Sequence, residues 1–595
     1  MIRKDKKIMK DGSVKTYIRV TEGYRPEPNK PPKQRTLKSF GYLEDQEDPV
    51  RFMKEVAIFD SNPENREQIS SNKMYSGTNR RMNYGYKFLE SVYETLGIPA
   101  LFAEYVNESG FRGKYPLEKI FKFLVISRIL MPDSKRASLQ RQEALYGWDP
   151  QFELPFVYRS LDHFESMGNL LQHGLDQQIK KLIGRDLKYA FYDVTNYFFE
   201  VDLPDPEGQL RRRGVSKEHR VDPIVQMGLF IDKNGLPVSM SLFPGNTSDT
   251  MTLQPVMVEV KKDYKLDRLI VVADKGLNSS SNIDYICQNG DGYVVSQILR
   301  GPKGKRYHED LFEEEGYSWN KDKTYKYKLF EEIYIGKDRT GKNEPRKRNV
   351  LIYWNKAEAV MSAAKRNEKL IKAAKSCVNN AYGIKKGSQE YVLEEIVDLK
   401  TGELEDVSKK TRRSVNLEKA ENDALFDGYF CLITSEMDYD VSKIREVYSG
   451  LWRIEESFRI LKSDLEARPV HVSTQEHIKA HFLICFVALL IIRVIQHAMG
   501  KDVLSAERII RSLNAANCKV KRGGIVELDD VGGSLAFVKR KDKNGKMVET
   551  LSFSDEDEIA EDYQKIQKTF GTDFYDVEVK QETFRKFLKG IKLTL

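Results

Sequence analysis

Between residues 188 and 434 the chain alternates dense apolar runs with polar turns and helix-spaced segments. The runs 189–201 (YAFYDVTNYFFEV), 224–231 (IVQMGLFI) and 237–243 (PVSMSLF) are rich in β-branched and aromatic residues and predict three strands. Gly245-Asn246-Thr247-Ser248-Asp249 predicts a turn and helix cap. A helix over 252–264, a strand over 268–273 (RLIVVA), a helix over 281–288 and a strand over 292–297 complete the series. That order is compatible with an antiparallel meander joined to later strands by helical crossovers, an α/β sheet flanked by helices.

The flanks read differently. Residues 1–75 suggest short strands around a Pro-rich turn, and 76–187 are mostly helical. Leu117, Ile120, Phe121, Leu124 and Ile129 show helical spacing, and Pro132-Asp133-Ser134 ends the run. A following helix carrying Lys135, Arg136 and Arg141 would make a helix, turn and basic helix, a form compatible with DNA binding and equally with a small bundle. Residues 300–427 interrupt the sheet with strand-like 325–335, 348–354 and 391–399 and a basic helix near 358–377. The core resumes with a strand at 428–434, a long helix over 442–467 and a buried helix over 478–497. The expected organisation is a basic strand-rich arm (1–75), a helical candidate DNA-binding region (76–187), a first core segment (188–299), a β-rich insertion (300–427), a second core segment (428–500) and a mixed C-terminal region (501–595).

Charge sharpens this outline. The first forty residues hold twelve Lys and Arg against four Asp and Glu, which equals the +8 excess of the whole chain. A basic leading arm suits a polyanion such as DNA. Lys409, Lys410, Arg412 and Arg413 form a second basic cluster, which a solvated loop would also explain. The five scattered cysteines include no CxxC pair and point to a reducing compartment. The most apolar run, 482–492 (FLICFVALLII), is too short to span a bilayer and reads as a core helix. The expected location is cytoplasmic, reaching the nucleoid through DNA.

Two carboxylates stand out. Asp193 interrupts the apolar strand FYDVTNYF, and Asp274 closes IVVADKG. A charge in such a place is costly unless something pairs with it, and a divalent cation is the usual partner of several oxygen ligands. The oxygen-only set favours Mg2+, with Mn2+ able to substitute. A third carboxylate is offered by YSGLWRIEESFRILKSDLEARPV. Tyr448, Glu455 and Lys462 recur at seven-residue spacing, which on a continuous helix puts them on one face with Leu451, Trp452 and Arg459. His477, His481 and Cys485 recur at four-residue spacing, but without the HExxH glutamate core packing explains them better than zinc.

With these residues the chain resembles the DDE-type insertion-sequence transposases whose third carboxylate lies in a Tyr-x2-Arg-x3-Glu-x6-Lys signature. Tyr448, Glu455 and Lys462 fill three of its four positions, and Leu451 stands where the Arg is expected. DVTNYFFE, GNTSD, VADKGLNS, FDGYFCLITS and RPVHVSTQEHIKAHFLICFVALLI also resemble that family. The resemblance implies an RNase H-like core with a strand-rich insertion between Asp274 and Glu455. It implies catalysis by Asp193, Asp274 and Glu455 holding two ions, with Asp193 bridging. It further implies cleavage at element ends and 3′-hydroxyl attack on target DNA, a reaction whose pairing of two DNA ends suggests a homodimer in the active complex. Tyr448 and Lys462 would hold phosphates, and Trp452 would stack a base or simply pack in the core. Arg453, Arg459, Lys217 and Arg220 are further DNA-contact candidates. An RNase H-like nuclease without strand transfer and a non-catalytic DNA-binding derivative are the competing functions.

Overall fold

A computed structural model describes the chain except for residues 1, 10–13, 25–32, 47, 62–79, 150, 202, 219, 380–388, 398–409, 522–523, 530–535, 542–546, 553–557 and 575. The side chains of the basic cluster at 409–413 fall outside the described residues. The chain divides into two units, residues 1–80 with 519–523, and residues 81–518 with 524–595.

In the first unit, β1 (Ile2–Ile8), β2 (Val14–Tyr24) and β3 (Lys33–Tyr42) form an antiparallel sheet. Ile18 and Val20 of β2 are buried with Val56 of the Pro49–Ser61 helix. Part of the basic excess is used inside the sheet: Arg19 lies 2.6 Å from Asp5, Lys15 pairs with Asp45, and Lys7 sits over the Tyr17 ring.

The second unit opens with the short strand β4 (Met82–Asn83), which pairs with Asn517 and Cys518. Its main body is built on β5 (Tyr189–Phe198), β6 (Ile224–Ile231), β7 (Pro237–Pro244), β8 (Ile270–Ala273) and β9 (Gly292–Ser296). β5, β6 and β7 form an antiparallel meander, while β8 runs parallel to β5 and β9 parallel to β8. That topology makes the core RNase H-like, a mixed sheet flanked by helices.

The insertion departs from the expected interruption. After the two-residue β10 (Ser318–Trp319), β11 (Tyr325–Lys337) and β12 (Asn343–Asn355) pair along their full length. After the minor ribbon β13 (Val392–Val397) and β14 (Lys410–Val415) comes β15 (Tyr429–Thr434), which joins β12 to β9. Among the described residues the sheet therefore has nine strands, in the order β10-β11-β12-β15-β9-β8-β5-β6-β7. The cause lies in β12, where Val350, Leu351 and Ile352 are consecutive and all buried. A strand apolar on both faces needs cover on both, as an inner strand has.

The helical region is a layer of this same unit. The Tyr86–Thr95, Leu117–Leu130 and Leu154–Ser166 helices pack on the Gln475–Met499 helix. That last helix is long and apolar enough to cross a membrane, unlike the shorter expected run, but nearly all of it is buried inside the fold. The expected basic helix is also corrected. It is only the five residues Lys135–Leu139, and Lys135 is buried with its Nζ 2.9 Å from His481 Nδ1. Arg141 lies 3.0 Å from Asp133. The lysine stem reaches inward, so it is not presented to a DNA groove.

Candidate active site

Strand register brings the first two carboxylates level. Tyr189 pairs with Ile270, Ala190 with Val271 and Phe191 with Val272. Two residues beyond that last pair stand Asp193, still within β5, and Asp274, the first residue after β8. Alternation sets the direction of Asp193. Ala190, Tyr192 and Val194 face the core that includes Leu253, Val256 and Ile283. Phe191, Asp193, Thr195 and Tyr197 therefore face the opposite layer. There Phe191 lies against Gly450, and the Tyr197 ring lies 4.9 Å from that of Phe482.

The third carboxylate comes from that layer, but not from one continuous helix. The Val441–Ser449 helix ends at Gly450, the Trp452–Arg459 helix follows, and a π turn occupies Ile460–Asp464. A Cβ on Gly450 would lie 2.4 Å from Phe191 Cζ, so the chain breaks where only glycine allows close approach to β5. The one long helix expected over 442–467 is therefore two shorter helices followed by a π turn. Leu451 is buried at the junction, 6% exposed, which accounts for an apolar residue at the expected Arg position.

Burial foremost lifts the Asp193 carboxyl to about 6; Lys217 and the Val194 backbone oppose the shift, and Asp274 and Asp249 reinforce it. Burial foremost raises the Tyr448 phenol to about 12, with a Ser296 hydrogen bond opposing and the negative charges of Asp274, Glu455 and Asp193 adding. Tyr448 thus feels all three carboxylates. Lys462 is lowered to about 8, first by burial and then by Lys217, with Asp193 opposing. Its Nζ donates to Glu218 Oε1 at 3.3 Å, and Arg468 donates to the same oxygen. Lys217 donates to the Val194 carbonyl and lies 4.0 Å from Asp249.

The neighbouring glutamates separate cleanly. Glu456 is 2.7 Å from the buried Arg493 and 3.8 Å from Arg459. Glu455 is exposed and, among the described residues, makes no hydrogen bond or ion pair. Trp452 is 54% exposed with Arg453 beside its ring, which removes the core-packing explanation. Arg459 lies on the exposed side, and Arg220 stacks on Phe198, 3.8 Å from the ring centroid, and lies 3.4 Å from Asp222. Glu218, Arg468 and Asp249 were not singled out from sequence. Asp249 alone had a visible signal, a carboxylate closing GNTSD at a helix start.

Among the described residues, no three His, Cys, Asp or Glu side chains are gathered closely enough to hold a metal ion. His481 is engaged by Lys135 and by the Ala467 carbonyl, and His477 lies 3.2 Å from Asp162, so the zinc arrangement does not form. The donor chemistry of Asp193, Asp274 and Glu455 still fits a hard divalent cation: all are carboxylates, and Glu455 is uncommitted.

Residues 206–491 match the family model described as Transposase DDE domain. Residues 2–62 match the model described as IS1634 family transposase, N-terminal domain. The matched DDE domain contains Lys217, Asp274, Tyr448, Glu455 and Lys462 and begins after Asp193. No curated protein matches. Among solved structures the chain is similar to "Mos1 transposase paired-end complex with left transposon end", 13% identical over 45% of this chain and 70% of that one, TM-score 0.14. It is also similar to "Crystal structure of a pre-cleavage Mos1 transpososome", 12% identical over 45% and 71%, TM-score 0.14.

Proposed function

We propose that the chain is a DNA transposase that cuts at the ends of an insertion sequence and joins the freed 3′-hydroxyls to target DNA. The observation supporting this reading is that Asp193 on β5 and Asp274, directly after the parallel neighbour β8, each follow the Phe191–Val272 pair by two residues, with Tyr448 electrostatically coupled to both and to Glu455. The transposase DDE match over 206–491 supports it. The third carboxylate would belong to the Tyr-Arg-Glu-Lys branch, with Leu451 in place of the Arg.

Asp193, Asp274 and Glu455 would hold Mg2+, which supplies charge stabilisation and an activated nucleophile in phosphodiester transfer. Lys462 and Lys217 place positive charge beside Asp193, where a scissile phosphate would be held. Tyr448 stays protonated at neutral pH and can donate a hydrogen bond to a phosphate oxygen. Trp452 offers an exposed ring for an unpaired base, a contact worth roughly 1–3 kcal/mol. Excision by cut-and-paste, a homodimer pairing two element ends and a nucleoid location complete the proposal.

The test is nicking of a supercoiled plasmid carrying the coding sequence with its genomic flanks, in Mg2+. Wild type should nick at the element boundary, and Asp193→Asn, Asp274→Asn and Glu455→Gln should each lose at least a hundredfold in rate while still binding that DNA. A wild-type chain that binds but never nicks would leave only the DNA-binding reading.

A further inference from the structure

The end of the π turn is gripped by side chains from outside its own helix. Arg128, in the last turn of the Leu117–Leu130 helix, is 6% exposed. Its Nη1 donates to the carbonyls of Leu465 (3.4 Å) and Glu466 (3.1 Å), and its Nη2 to that of Asp133 (2.9 Å). Among the described residues no carboxylate pairs with it. A buried guanidinium without a carboxylate is costly. Here carbonyls take that place, two of them just beyond a helical C-terminus, where the partial charge is negative. The next carbonyl, of Ala467, accepts from His481 Nε2 at 3.1 Å, which leaves Nδ1 to accept from Lys135 Nζ. Three consecutive carbonyls, 465 to 467, are therefore held from outside.

The backbone they hold is not relaxed. Glu466 has φ +41°, a region non-glycine residues seldom enter and keep only where the surroundings over-determine it. Just before it, Leu465 N donates to Ile460 O at 2.8 Å, closing the wide turn. Lys462 lies within that turn.

We propose that Arg128, seconded by His481, is a positioning residue for Lys462: by holding the carbonyls at the end of the π turn it fixes the backbone from which Lys462 reaches toward Asp193. The proposal rests on the reading of Asp193 and Lys462 as parts of a phosphodiester-transfer site. Its reach is functional because Arg128 touches neither the carboxylates nor Lys462 itself.

The test uses Arg128→Lys, which keeps the charge, and Arg128→Met, which removes it. In the full chain without DNA, amide hydrogen exchange over 460–467 should quicken at least tenfold in Arg128→Lys, with the Gln475–Met499 helix still protected. Plasmid nicking in Mg2+ should lose about tenfold in kcat with KM little changed. In a Lys462→Met background the same change should cost nothing further, since a residue acting through Lys462 has nothing left to position. Unchanged exchange, or an equal loss in both backgrounds, overturns the proposal. Should Arg128→Met fail to fold, Arg128→Lys still decides it. A wild type that never nicks sinks the parent reading alone, because the exchange measurement stands without activity.

Discussion

Glu455 and Glu456 are adjacent in sequence and opposite in commitment. Glu456 neutralises Arg493, whose side chain is 8% exposed, so removing its charge strands a buried cation. Glu456→Gln should cost about 3 kcal/mol, in the range for breaking a buried pair, read as a lowered midpoint in urea unfolding. Glu455→Gln should leave that midpoint within about 0.5 kcal/mol, as expected of an exposed substitution, and abolish nicking. The reverse pattern would move the proposed catalytic role to Glu456. Lys135 gives a prediction in pH. Burial foremost, and then the Arg128 charge, carry it from 10.5 down to about 7, with Cys485 opposing. The unfolded chain keeps that proton to near 10.5 and the folded chain only to about 7. Between those values the unfolded state binds more protons, so this group's contribution to stability rises with pH, and below about 7 the full penalty stands. Lys135→Met should therefore stabilise the protein more at pH 7 than at pH 9, by roughly 2–3 kcal/mol at about 1.36 per pH unit. Equal effects at both pH values would contradict this.

At the scale of elements, the break at Gly450 sets where Glu455 sits. Gly450→Ala would push a methyl into Phe191, next but one to Asp193. Overpacking of that kind costs about 1–3 kcal/mol, and displacement of the Trp452–Arg459 helix should lower the nicking rate by more than the stability loss explains. A variant of normal rate would show that this approach does not place the site. The same junction shows what sequence could reveal. Spacing by seven found Tyr448, Glu455 and Lys462, but helical periodicity cannot see a break made by a glycine against a distant strand, nor a π turn held by partners from far away in the chain. The meander and crossovers were legible because β5, β6 and β8 are short, apolar and bounded by turns. The joining of β11 and β12 to the same sheet was not, since an apolar strand shows that it is covered but not by what. Lys135 misled for a related reason: a lysine after a turn looks solvated until its buried partner, His481, is known.

Over the whole molecule, residues from distant parts of the chain meet in one unit. β5 supplies Asp193, the end of β8 supplies Asp274, and the layer across from them supplies Tyr448, Glu455 and Lys462. The helical region adds no separate basic face at Lys135 and instead braces the segment after Lys462. The central claim is that three carboxylates, separated by long stretches of chain that include the whole insertion, act on one phosphate through shared cations. Anomalous diffraction from crystals grown with Mn2+ and element-end DNA tests it most directly. The account predicts manganese peaks bonded to oxygens of Asp193, Asp274 and Glu455, with Lys462 on the adjoining phosphate. Manganese bound elsewhere, or a site completed by Glu456 with Glu455 left in solvent, would contradict it.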